Sequence, residues 1–214
     1  MAKQKITHLI FDLDNVLYSG KYGLEKKVSG RLEQFLCDYL GINRDESEET
    51  HRSLVRDKGY GTTIEWLIAE KGFTEIDSYY KYINPEDEAD TLLPDPELGA
   101  FLASIPLPKA VLSNSEQTHI DRFLDKLGIR DQFDFIFDIR LNDFKGKPHK
   151  EAFMKALDIM KAEPGTAMFI DDYPEFVEGY RKIGGMAVLY DEFDRYASLP
   201  YKRIRSLYEI GNLL

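Results

Sequence analysis

The sequence predicts an α/β fold: a parallel sheet with helices on both faces, interrupted after its first strand by a small all-helical module. Three observations carry that expectation. Five apolar, β-rich runs, at residues 6–12 (ITHLIFD), 109–114 (KAVLSN), 133–138 (FDFIFD), 166–172 (TAMFIDD) and 186–191 (MAVLYD), end in polar residues, mostly Asp. Several are apolar at successive positions, as in strands covered on both faces. Helical patterns alternate with the later runs, and that alternation builds a parallel sheet. Residues 18–95, by contrast, contain short helical patterns and no convincing strand. The expected division is therefore 1–17 with 96–214 for the α/β core, and 18–95 for the helical insert.

The elements follow in order. The first strand ends in IFDLDNVLY, and the insert then opens with SGRLEQFLCDYLG, which places Leu32, Phe35, Leu36 and Leu40 on one stripe and stops at Gly41. DESEETHRSLVRDKG, TTIEWLIAEKG and TEIDSYYKYI supply three further helical patterns. The Pro- and Asp-rich NPEDEADTLLPDP reads as a linker, after which Asp95 and Pro96 start a helix bearing Leu98, Phe101 and Leu102. EQTHIDRFLDKLG carries Ile120, Phe123, Leu124 and Leu127 and ends at Gly128. In PHKEAFMKALDIM, Pro148 suits the first helical position, ahead of a stripe of Phe153, Ala156, Leu157 and Met160. PEFVEGYRKIG is again started by Pro and stopped by Gly. The tail carries Ile204, Leu207 and Ile210 at helical spacing, for packing on the sheet or for a contact in a homodimer.

Composition narrows the function classes. A chain of 214 residues with net charge −10 lacks the clustered Lys and Arg that nonspecific nucleic-acid binding requires. No run reaches the roughly 20 apolar residues of a membrane span. The basic N-terminal stretch meets an aspartate too early for a signal peptide. The single cysteine, Cys37, reads as a small core hydrophobe and suits a reducing cytoplasm.

In open parallel sheets ligands bind beyond the carboxyl ends of the strands. The polar residues concentrate there: Asp12 and Asp14 after the first strand, Ser113, Asn114 and Ser115 after the second, Asp171 and Asp172 after the fourth. Lys147 lies in the loop DFKGKPHKEAF after the third. Taken singly, such residues cap turns and helices, which is the expected role of Asp138, Asp191 and one of residues 113–115. Together, converging carboxylates repel by a few kcal/mol per close pair unless a divalent cation neutralises them. Oxygen donors suit Mg²⁺, and a hydroxyl, helix amides and a lysine complete a pocket for a phosphoryl group.

The segments FDLDNVL, LSNS, GKPHKEAF and FIDD, in this order, resemble the four motifs of haloacid dehalogenase (HAD)-like hydrolases. That resemblance implies a Rossmann-like core with a cap, and a Mg²⁺-dependent phosphatase acting on a small phosphorylated metabolite. It implies Asp12 as nucleophile and Asp14 as general acid and base with a raised pKa. Ser113 and the Asn114 amide would hold the phosphate, and Lys147 would balance charge. Asp12, the Asp14 carbonyl and Asp172 would bind the metal, with Asp171 as a further or supporting ligand. Asp14 argues against dehalogenases, which lack an acid at that position. Val16, where many members have Thr, is neutral. The stretch YGTT resembles the pyrimidine 5′-nucleotidase branch, so Tyr60, Thr62 and Thr63 would face the phosphate and select a nucleoside 5′-monophosphate. For Thr62 a helix capping box with Glu65 is the preferred reading, and both roles are compatible. His119 and His149 fit solvated or capping positions on helix surfaces. Alternatives are a phosphoglucomutase-like phosphotransferase, a silent phosphate-binding relative, and a receiver-like module, in which the helical insert has no place.

Overall fold

The computed structural model describes residues 5–214; the first four residues of the basic N-terminal stretch lie outside that range. Strands β1 (His8–Phe11), β2 (Lys109–Leu112), β3 (Phe135–Phe137), β4 (Ala167–Asp171), β5 (Met186–Tyr190) and β6 (Arg203–Ile204) form one sheet in the order β3-β2-β1-β4-β5-β6. All pairings are parallel. Five strands coincide with the apolar runs. The sixth was expected as part of a tail helix, and the structure corrects that reading. Ile204 pairs with Tyr190 as a strand, while Leu207 and Ile210 lie on a 3₁₀ helix capped by Ser206 and Glu209. All three are buried, so their helical spacing marked burial and not the element.

Side chains alternate across the sheet. Leu9 and Phe11 face one apolar layer, with Ile120, Phe123 and Leu124 of α6 (Gln117–Leu127) and Leu98 and Leu102 of α5 (Pro96–Ser104). Ile10 faces the other, with Phe153 and Leu157 of α7 (Lys150–Met160) and Val177 and Tyr180 of α8 (Pro174–Lys182). Asp95 and Pro96 start α5 as expected, but α7 begins after Pro148, with His149 at its N-cap.

Between β1 and α5 the chain forms α1 (Leu24–Leu40), α2 (Arg44–Lys58), α3 (Thr63–Lys71) and α4 (Ile76–Ile83). Gly41, Gly59 and Gly72 end the first three in the left-handed conformation. These helices share their own apolar cluster, in which Leu36, Leu54, Trp66, Leu67 and Tyr79 are buried. Cys37, on α1, is only partly buried. Among the described residues, no helix is long and apolar enough to cross a membrane.

The topology sets the site. β1 is central, and the chain runs to β2 on one side and β4 on the other, so a crevice opens at its carboxyl end. Asp12 N–H donates to the Ile170 carbonyl at 2.9 Å, which places Asp12 beside Asp171.

Candidate active site

Lys147 is the hinge of the site. Its side chain is 1% exposed, and Nζ lies 2.7 Å from both Asp12 Oδ1 and Asp171 Oδ2. Two glycines let backbone approach it. A Cβ on Gly146 would stand 2.1 Å from Asn114 Oδ1, and one on Gly61 would stand 2.6 Å from the Lys147 carbonyl oxygen. The Asn114 side chain closes on the same loop, accepting from Lys147 N–H at 2.8 Å and donating to its carbonyl at 2.9 Å. Asn114 therefore spends its amide side chain on holding the loop of the lysine. Ser113, buried beside it, accepts the Ser115 N–H at 3.1 Å. None of residues 113–115 caps α6; Asp138, from the end of β3, accepts from Gln117 N–H instead. Asp138 also caps the turn after β3, and Asp191 accepts the N–H groups of Arg195 and Tyr196, both as expected.

Carboxylate oxygens of Asp12, Asp171 and Asp172 lie within 4.8 Å of one another. Burial, followed by the charges of Asp171 and Asp14, pushes Asp12 up to about 8 despite Lys147. Burial with Asp171, Asp12 and Glu25 pushes Asp172 up to about 9. Asp172 Oδ1 is buried without a hydrogen-bond partner among the described residues. Crowded, desolvated oxygens with an orphan lone pair fit a hard divalent cation. Asp171 is committed elsewhere: Oδ2 accepts from Lys147 and Oδ1 from Tyr173 N–H at 2.8 Å.

Asp14 lies on the other flank. Tyr18 Oη donates to its Oδ1 at 2.7 Å, His119 Nε2 meets Oδ1 at 3.0 Å, and Ser115 Oγ donates to Oδ2 at 3.2 Å. Burial would raise its pKa, but the nearby His119 charge and these three hydrogen bonds outweigh burial and lower it. The raised value expected from the sequence is thus corrected: donors that stabilise the ionised form win over desolvation.

One cavity of ≈ 390 Å³ joins Asp12, Asp14, Ser113, Lys147 and Asp172 to the helices of the insert. Thr62 and Thr63 line it. Thr62 caps α3 by accepting from Glu65 N–H at 3.2 Å, while Glu65 reaches back to Gly61 N–H at 2.8 Å, one residue short of a full capping box. Thr63 Oγ1 pairs with His51 Nδ1 at 3.0 Å. Tyr60 is not among the cavity-lining residues: its ring packs on the insert's own core and its hydroxyl donates to Glu70 at 2.8 Å.

The sequence reading missed the contacts of three residues, although His149 does stand at the N-cap of α7 as expected. His119 is buried at 1% exposure against Asp14, not solvated. His149 Nε2 meets Glu65 at 2.9 Å, tying the YGTT segment to the loop of Lys147. Asn15, in the left-handed conformation that Asn tolerates, donates to Glu25 at 2.9 Å and to Asp172 at 3.3 Å. Its position directly after Asp14 was the one local signal.

Solved structures of similar shape include a HAD phosphatase from Thermococcus onnurineus, at 20% identity over 97% of each chain and a TM-score of 0.63. Others are the magnesium-bound HAD-hydrolase YfnB from Bacillus subtilis, at 16% identity over 98% of this chain and 99% of that one with a TM-score of 0.65, and the L-2-haloacid dehalogenase from Xanthobacter autotrophicus, at 16% identity over 97% and 98% with a TM-score of 0.64. At such identities the likeness establishes the fold alone. A family model, haloacid dehalogenase-like hydrolase, matches residues 6–184. That match spans most of the chain and takes in every strand-end residue gathered around Lys147, so the chain belongs to the haloacid dehalogenase-like hydrolases.

Proposed function

We propose that the chain is a Mg²⁺-dependent phosphatase that hydrolyses a small phosphate monoester through an aspartyl-phosphate. The observation that carries this reading is the pairing of a lysine-held Asp12 with a donor-held Asp14 at the mouth of one cavity. Asp12 attacks phosphorus as the ester P–O bond breaks, and Asp14 delivers a proton to the departing alkoxide. Water then attacks the aspartyl-phosphate, gives its proton to Asp14, and the bond from phosphorus to Asp12 breaks. The donors around Asp14 favour the ionised form that the second step needs. An incoming phosphate dianion beside it raises its pKa again for the first.

Lys147 orients Asp12 and balances the transferring group, Asp171 holds Lys147, and Ser113 with the Asn114 amide faces the phosphate oxygens. Asp12, Asp172 and the Asp14 carbonyl would hold Mg²⁺, whose charge screens the phosphate from the carboxylate that must approach it. Asp14 favours phosphate over halide chemistry, since a departing halide needs no proton. Leu32, Ile64, Tyr79, Tyr80 and Ile83 give the insert's side of the cavity an apolar and aromatic wall. Such a wall fits a small organic group with a flat face, and with the YGTT resemblance it supports a nucleoside 5′-monophosphate. The insert then serves as the cap, with residues 18–95 as its extent.

The test is phosphate release from para-nitrophenyl phosphate and from a panel of phosphorylated metabolites including uridine and cytidine 5′-monophosphates. Mg²⁺-dependent release, abolished by EDTA, is expected. Free phosphate, and not a phosphorylated acceptor, separates hydrolysis from transfer. No turnover of any ester at saturating Mg²⁺ would remove the proposal.

A further inference from the structure

Asp14 is held by a residue far along the chain. His119 Nε2, on α6, meets its Oδ1 at 3.0 Å, and the imidazole stacks on Phe123 with ring centroids 4.1 Å apart. The opposite ring nitrogen, Nδ1, faces Glu88 Oε2 at 3.6 Å. Neither of those two buried atoms has a hydrogen-bond partner among the described residues. The other Glu88 oxygen, Oε1, pairs with Arg31 of α1, and Arg31 Nε donates to the Ile83 carbonyl at 2.6 Å. Arg122, on the same helix as His119, donates to the Asn84 carbonyl at 3.0 Å. A continuous line of side chains thus runs from Asp14 through His119 and Glu88 to Arg31.

A buried imidazole is costly unless its polar atoms are matched, and packing apolar residues on α6 would serve the core better. One nitrogen is matched by the carboxyl proposed to move the proton. The other is matched only by the charge of a carboxylate that the insert's first helix holds in place. That is the arrangement in which a third group orients a proton-transferring pair.

We propose that His119 is a positioning residue for Asp14, itself held by Glu88 and Arg31, so that the helical insert fixes the geometry of proton transfer in the core. The proposal rests on the reading of Asp14 as acid and base. Its signature is dependence on the leaving group. A phenol departs with a proton and a para-nitrophenol departs readily without one, so a misaligned Asp14 harms the first substrate more.

The experiment uses the full chain with Mg²⁺ and compares kcat/KM for phenyl phosphate and para-nitrophenyl phosphate. His119→Asn, which lacks a group at the Nε2 position, is expected to lose about 10- to 100-fold on phenyl phosphate and several-fold less on para-nitrophenyl phosphate. His119→Gln, whose amide reaches the Nε2 position, recovers much of that loss. Glu88→Gln shows the same skew at smaller size, and it decides the matter should His119→Asn fail to fold. Equal losses on both esters, or no rescue by Gln, would overturn the positioning role while leaving the phosphatase reading intact. A wild-type chain inactive on both esters would instead remove the phosphatase reading, and this inference with it.

Discussion

Asp12 and Asp14 leave the same strand end two residues apart, yet they enter opposite surroundings. Asp12 turns toward Asp171 and Asp172 and pairs with Lys147; its pKa is pushed up by burial among carboxylates. Asp14 turns toward Tyr18, Ser115 and His119, and its pKa is lowered because these groups outweigh burial. The first flank is short of positive charge, and its crowded oxygens fit a cation. The second is rich in donors. Two like side chains acquire different chemistry when their environments push their protonation apart, and here the split follows the sheet: β4 and the Lys147 loop on one side, α6 on the other.

The sharpest way to break this contrast is Lys147→Met. It removes the cation buried between Asp12 and Asp171, and losing one partner of a buried charge cluster costs about 3–5 kcal/mol. Urea unfolding of the metal-free chain should show that loss, and adding Asp171→Asn should restore part of it. A cost below about 1 kcal/mol would mean that the flank is not held by charge. On the opposite flank, Tyr18→Phe removes one donor of three. About 1–2 kcal/mol is expected by the same measurement, because Ser115 and His119 still satisfy the carboxylate.

The smallest effect concerns the contact between the insert and the core. His149 has its pKa raised, chiefly by its hydrogen bond to Glu65. A folded-state pKa above the unfolded one gives stability that is fully present below the unfolded value of 6.5 and is lost as pH rises through the folded value. Glu65→Gln should therefore cost about 0.5–1 kcal/mol near pH 6, with the difference closing above neutrality. A pH-independent difference would show that His149 charge contributes nothing to that contact.

Much of this molecule was legible because its signals are local. Apolar runs ending in polar residues, mostly Asp, located five strands, and left-handed glycines such as Gly41 and Gly128 marked helix ends. The motif residues Asp12, Ser113, Lys147 and Asp172 do line one cavity. What escaped was set by partners far along the chain. His119 looked like a surface residue because Asp14 lies 105 positions away and Glu88 on another segment. The Asp14 environment was misjudged for the same reason, since two of its three donors come from the loop after β2 and from α6. Strand β6 is two residues long, too short for a period to register.

The central claim is that Asp12 carries the phosphoryl group. It is tested most directly by mixing the Mg²⁺-loaded chain with ³²P-labelled para-nitrophenyl phosphate, quenching in acid, and mapping the labelled peptide. The account predicts base-labile label on the peptide that contains Asp12, absent in Asp12→Asn and after EDTA. Label on any other residue, or hydrolysis that persists in Asp12→Asn, would contradict it.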